Sequence, residues 1–147
     1  MVHVTATTIP QEEVLNLLRK DDIYCHVYPG KDETILDKDG RVKRAAYEAQ
    51  KRGVIMDAAS GKNNFSFEVA KRAMAEGFYP DVICSDVSSM NYLAEYVGTG
   101  LPYIMSKFLA LGMDFKEIIK RVTENPAKVM KMENEAGSLS VGSIADI

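Results

Sequence analysis

Val54-Ile55-Met56-Asp57-Ala58 and Val82-Ile83-Cys84-Ser85, with residues 59–81 between them, decide the fold class. Each is a short apolar run rich in β-branched residues, and Ser60–Asn64 after the first reads as a polar loop. Val69, Ala70, Ala73 and Met74 then recur at helical spacing before a stop at Gly77. Strand, helix, strand in that order predicts parallel pairing through a right-handed crossover. Upstream the pattern repeats. Val42, Ala45, Ala46 and Ala49 mark a helix that stops at Gly53, and Asp37-Lys38-Asp39-Gly40 marks a turn before it. Ile23–Tyr28 is a strand ended by Pro29-Gly30. Thr8-Ile9-Pro10-Gln11 looks like a capped helix start, with Val14, Leu17 and Leu18 as the apolar face, and Val2–Thr5 is a further strand. Downstream, Ser88–Gly100 reads as a long loop or short helix and Leu101–Leu111 as a helix. Asp114 to Glu117 forms a capping box for a helix with Phe115, Ile118, Ile119 and Val122 on one face. Asn125-Pro126 breaks that helix and starts a short one to about Met132, and Gly137–Ile147 alternates like a strand. Periodicity leaves open whether the sheet is open or closed into a barrel.

At 147 residues and 46% hydrophobic content, the chain is expected to bury one core. A net charge of −3 with mixed signs gives no basic stripe for nucleic acid. No apolar run reaches the ~20 residues of a membrane helix, so no membrane partner is expected. Two cysteines inside apparent strands suit a cytoplasmic protein with reduced thiols, and Cys25 and Cys84 read as small buried hydrophobes.

The chain's two histidines each follow a strand: His3 after Met1-Val2, His26 after Ile23-Tyr24-Cys25. Asp86 ends Val82–Ser85 in the same way. Side chains at the C-terminal ends of parallel strands converge on one face, where α/β barrels carry their chemistry.

The tail Val122-Thr123-Glu124-Asn125-Pro126-Ala127-Lys128-Val129, then Gly137-Ser138-Leu139 and Gly142-Ser143-Ile144-Ala145-Asp146-Ile147, resembles the C-terminal signature of the amidohydrolase superfamily. There an N-P-A helix leaves the barrel and a G-x-L-x-x-G-x-x-A-D-I turn enters a small β-sandwich. Ile35–Val42, Phe65-Ser66-Phe67 and Met105–Gly112 resemble the dihydroorotase-like or deacetylase-like branch, so the resemblance runs over essentially the whole chain.

The resemblance implies strands 5–8 of a TIM-like (β/α)8 metallo-hydrolase barrel over residues 1–133 and the start of a small β-sandwich segment over 134–147. A full barrel needs eight strand–helix units and roughly 250 residues, more than this chain provides. His3 becomes the strand-5 metal ligand, His26 the strand-6 ligand and Asp86 the strand-8 acid, which is both ligand and catalytic proton shuttle. The cofactor implied is Zn²⁺, one or two divalent ions in the complete enzyme. The reaction implied is attack of a metal-bound hydroxide on an amide or ester, C–N preferred, in a small acylated or cyclic-amide metabolite. Strands 1–4, with an H-x-H pair and a carboxylated lysine, are absent from this stretch. The chain alone is therefore expected to bind metal weakly and to be inactive. Exposed sheet edges further suggest a homo-oligomer or association with the other half-barrel.

Plainer readings stand beside these. A strand histidine is more often a satisfied core residue, and Asp86 could be a turn or helix-cap aspartate. Ser60 departs from relatives of this branch, which often carry His there; substrate contact and an ordinary loop serine weigh equally. Asn63, Asn64, Ser88 and Asn91 lie in loops on the presumed active face, where they could bind substrate or merely serve turns. Lys107 reads as a surface lysine snorkelling from an apolar helix. The rival to the enzyme is a non-enzymatic, open-sheet α/β binding domain.

Overall fold

The computed structural model describes residues 1–5, 7–61, 64–89 and 100–144. Its centre is a parallel sheet of β1 (Val2–His3), β2 (Ile23–Cys25) and β3 (Ile55–Asp57), in that order. Val2 pairs with Tyr24 and His3 with Cys25; Tyr24 pairs with Met56 and Cys25 with Asp57. Side chains alternate along a strand. His3, Cys25 and Asp57 therefore share one face of the sheet, and Tyr24 and Met56 share the other.

The expected fourth strand is present as a flanking segment rather than a full ladder. A parallel bridge joins Asp57 to Val82. Ala58 N–H donates to Val82 C=O and Ser60 N–H to Cys84 C=O, each at 3.1 Å. The strands are shorter than their apolar runs because the ladder stops where the polar strand-end residues turn away.

Helices connect these strands: α1 (Gln11–Leu17), α2 (Arg44–Lys51) and α3 (Phe67–Ala75). Beyond Val82 follow α4 (Leu101–Ala110), α5 (Phe115–Val122) and α6 (Glu124–Val129). Ser66 caps α3 by accepting from Val69 N–H, and Asp114 caps α5 by accepting from Lys116 and Glu117 N–H. Gly53 and Gly77 leave α2 and α3 in the left-handed region, as their positions required. Tyr24, Met56 and Ile83 of the sheet are buried in one cluster with Leu15, Ala46, Ala49, Ala70, Ala73, Phe78, Phe108 and Ile118 of the connecting segments.

Several expectations change. Among the described residues no side chain caps α1; Gln11 turns into the core, where Tyr24 Oη donates to its Oε1 and its own amide donates to Glu33 C=O. Leu15, not Leu17, fills the core, and Leu17 is exposed. Phe115 and Ile119 of α5 are largely exposed, leaving Ile118 as its buried anchor. Residues 137–144 form turns, with Leu139, Val141 and Ile144 exposed. An alternating segment becomes a strand only with a neighbour for its backbone groups, and no described segment pairs with this one. The reading of Ser88–Gly100 falls mostly outside the described residues. No helix among the described residues is long and apolar enough to cross a membrane.

Candidate metal centre

The sheet brings the strand-end residues together. His26 follows β2 in a left-handed conformation (φ 64°), and Asp86 follows the Val82 segment in another (φ 51°). Histidine and aspartate tolerate this region better than most residues, yet holding them there costs about 1–3 kcal/mol each. The bend re-aims each side chain across the end of the sheet. His26, 1% exposed, places Nε2 2.8 Å from Nδ1 of His3, with the rings at 79°.

The other side of the His26 ring is fixed. Its Nδ1 lies 2.9 Å from the Ala59 carbonyl, which can only accept, so Nδ1 carries a proton and, in the neutral ring, Nε2 presents a lone pair. The Asn64 amide donates to Asp86 Oδ2 at 3.1 Å and lies 3.4 Å from His26 Nε2. Gly61 closes the group, since a Cβ built there would lie 2.0 Å from Asp86 Oδ2. The backbone at 59–61 thus touches His26 on one side and Asp86 on the other.

Could these residues hold a metal? A ligating histidine usually donates its second ring N–H to a carbonyl or carboxylate, as His26 does to Ala59. Two nitrogens bound to zinc at ~2.0–2.1 Å and a tetrahedral angle lie about 3.3 Å apart, close to the His3–His26 spacing. At 2.8 Å the two nitrogens are at hydrogen-bond distance, and they would part by about half an ångström to supply half of a zinc shell. Among the described residues no three His, Cys, Asp or Glu side chains stand close enough to hold an ion. Asp86 is tied to the pair through Asn64, and further donors would have to come from elsewhere.

Beneath the imidazoles lies a layer that sequence reasoning passed over. Asp57, 4% exposed, accepts from the Cys25 thiol at 3.3 Å, the Cys84 thiol at 3.2 Å and Ala59 N–H at 3.0 Å. Burial first, then the Asp57 carboxylate, pushes the Cys25 thiol up to about 12; the same causes push Cys84 up as well. The cysteines are thus thiol donors to a buried carboxylate rather than plain apolar fillers.

Lys107 also departs from its reading. It does not snorkel outward: Nζ donates to Ser60 Oγ at 3.0 Å and sits 5.2 Å from the Phe65 ring centre and 5.6 Å from that of Tyr103. Partial burial holds its amine below the usual lysine range. Ser60 itself is buried, facing Lys107. Ser88 is exposed in the loop after Asp86. Asn63 and Asn91 lie outside the described residues.

Comparison with known proteins settles the relationship. The model of the Amidohydrolase family matches residues 4–147. This chain belongs to the amidohydrolase family. A deacetylase of Enterococcus faecalis is 33% identical over 148 residues, covering 100% of this chain and 40% of its own length. A deacetylase of Brucella anthropi is 35% identical, covering 99% of this chain and 36% of its own. Among solved structures, an adenine deaminase superimposes with a TM-score of 0.87 at 31% identity over 97% of this chain and 39% of that one. A dihydroorotase does so at 0.75 and 30% identity, over 88% and 33%. The chain therefore spans about two fifths of the length of the curated relatives it matches.

Proposed function

We propose that this chain supplies strands 5–8 of a metal-dependent amidohydrolase barrel, with residues 134–147 opening a β-sandwich segment. The substrate is a small acylated or cyclic-amide metabolite, and the bond cleaved is C–N in preference to ester. The observation that carries this reading is the approach of His26 Nε2 to His3 Nδ1 with the far side of His26 locked to Ala59. The Ala59 contact leaves Nε2 as the ring nitrogen that faces the second imidazole at the end of a parallel sheet.

In this reading His3 and His26 hold a divalent ion, most readily Zn²⁺ given two imidazole donors. When bound, such an ion supplies hydroxide at neutral pH and polarises the scissile carbonyl. Ala59 keeps His26 in the ligating tautomer. Asp86 takes a proton from the attacking water and returns it to the leaving nitrogen, a base that becomes an acid. Asn64 steadies that carboxylate, and Ser88 contacts substrate from the loop after Asp86. Deacetylase-like chemistry is favoured over the dihydroorotase-like kind because the deacetylases match the sequence over its full extent. The remaining donors and the sheet edges are completed by the other half of the barrel or by a second copy.

A chimaera tests this directly. The matching stretch of the Enterococcus faecalis deacetylase is replaced by this chain and assayed against N-acetyl amino acids and cyclic amides. Zinc-dependent hydrolysis, lowered ~10²–10⁴-fold by Asp86→Asn, is expected. A folded, metal-loaded chimaera inactive on both substrate classes would overturn the proposal.

A further inference from the structure

We infer that Lys107 is a positioning residue for the histidine–aspartate face, acting through Ser60 on the loop Ala59-Ser60-Gly61. This rests on the reading of His26 and Asp86 as site residues. The path is short. Lys107 Nζ donates to Ser60 Oγ at 3.0 Å, although 47 residues of sequence separate them. Ser60 lies between Ala59, whose carbonyl fixes the His26 ring, and Gly61, which has no room for a Cβ beside Asp86. A displacement of this tripeptide moves the hydrogen bond that sets the His26 tautomer and the wall that confines Asp86.

The lysine is built for this rather than for charge pairing. Among the described residues, no carboxylate forms an ion pair with Lys107, whereas Lys43, Arg44, Arg72, Arg121 and Lys128 each have one. Its ammonium lies instead near the Phe65 and Tyr103 rings. Cation–π attraction there strengthens as the site is dried and favours one side-chain arrangement. Phe65 precedes the α3 cap residue Ser66, and Tyr103 lies one turn before Lys107 on α4. The ammonium therefore ties α4 and the start of α3 to the loop that supports the site. The Ser60 backbone is held independently by Cys84, so the side-chain bond is what the lysine adds.

The test uses the 147-residue chain, Co²⁺ as the metal probe and imidazole nitrogen NMR of His26. Lys107→Met keeps the aliphatic stem and removes the donor and charge; Lys107→Arg restores both. Ser60→Ala breaks the same bond and leaves the lysine packing intact. Lys107→Met and Ser60→Ala are expected to shift the His26 Nδ1–H signal and weaken Co²⁺ binding about 10-fold, the lower end for supporting contacts. Lys107→Arg should return both readouts toward the unsubstituted chain. Unchanged His26 signal and Co²⁺ affinity in either folded variant would overturn the inference. If Lys107→Met does not fold, Ser60→Ala decides alone. If the unsubstituted chain binds no Co²⁺, the missing donors account for it, the chimaera judges the metal reading, and the His26 signal alone judges Lys107.

Discussion

His3 Nδ1 and His26 Nε2 face each other at 2.8 Å with their rings 79° apart, one imidazole exposed and the other buried. The asymmetry matters for what each contributes. His26 is held by Ala59 and by the sheet, so its lone pair is pre-aimed, whereas His3 sits on the exposed edge strand β1. His26→Ala should therefore weaken Zn²⁺ or Co²⁺ binding by more than the ~10–100-fold typical of a lost supporting contact. His3→Ala should cost less, because an exposed ring has more freedom to lose on binding. Isothermal titration of both variants checks the order; equal losses would show that the carbonyl lock on His26 confers nothing.

Gly61→Ala separates stability from site geometry. The added Cβ meets Asp86 Oδ2 at 2.0 Å and its Cγ at 3.0 Å. The carboxylate end can swing away, so the cost in stability should stay within about 1–3 kcal/mol. Swinging away breaks the Asn64 bond to Asp86. The expected result is a modest fall in melting temperature together with a displaced Asn64 side-chain amide signal. An unmoved amide signal would mean that Asp86 is not confined by Gly61.

The strand-end placement of His3, His26 and Asp86 was legible in the sequence, and the reasons why other features were not are physical. His3, His26 and Asp86 announced themselves because a polar residue closing an apolar β-run must leave the sheet, and parallel strands send such residues to one face. Asp57 closes a run in the same way and was passed over, though the signal was identical. Lys107 was illegible: its helix spacing suits a solvated lysine, and only the tertiary approach of α4 to the loop after β3 gives its ammonium an inward partner. The left-handed turns at His26 and Asp86 also left no mark, since neither residue is glycine. In the fold, the strand–helix order followed from periodicity. Residues 137–144 misled because alternation describes a strand's faces but not whether a partner exists to pair with it.

The thiol layer predicts a pH dependence of stability. Cys25 goes from an ordinary thiol near 9.0 to about 12 in the fold, and Cys84 moves the same way. Burial raises the Tyr24 and Tyr28 hydroxyls too. A group with a raised folded pKa favours the folded state fully below its unfolded value, and that contribution is lost as pH climbs through the folded one. Stability should be flat up to about pH 8 and decline from about 9 toward 12. Urea midpoints across that range measure it. The same protonation predicts slow alkylation by iodoacetamide at about pH 8 in the native chain and rapid alkylation once unfolded; fast native alkylation would mean the thiols are not held by Asp57.

Asn64 offers the sharpest substitution because its amide lies between His26 and Asp86. Nδ2 lies 3.4 Å from His26 Nε2 and 3.1 Å from Asp86 Oδ2. Asn64→Asp keeps the shape and exchanges a donor for an acceptor. Without metal, two carboxylates then face each other and one must hold a proton, which raises its pKa. A divalent cation relieves that repulsion and gains an oxygen donor beside the two imidazoles, making up the three-ligand set that the described residues lack. The variant should therefore bind Zn²⁺ about 10-fold tighter at neutral pH, roughly the weight of one well-placed contact. Release should steepen as the pH falls, because the shared proton competes with the ion. Asn64→Leu, of similar size and without polar atoms, controls for packing and should bind no tighter than the unsubstituted chain. Should Asn64→Asp bind equally or more weakly while remaining folded, the space between His26 and Asp86 is not a metal position.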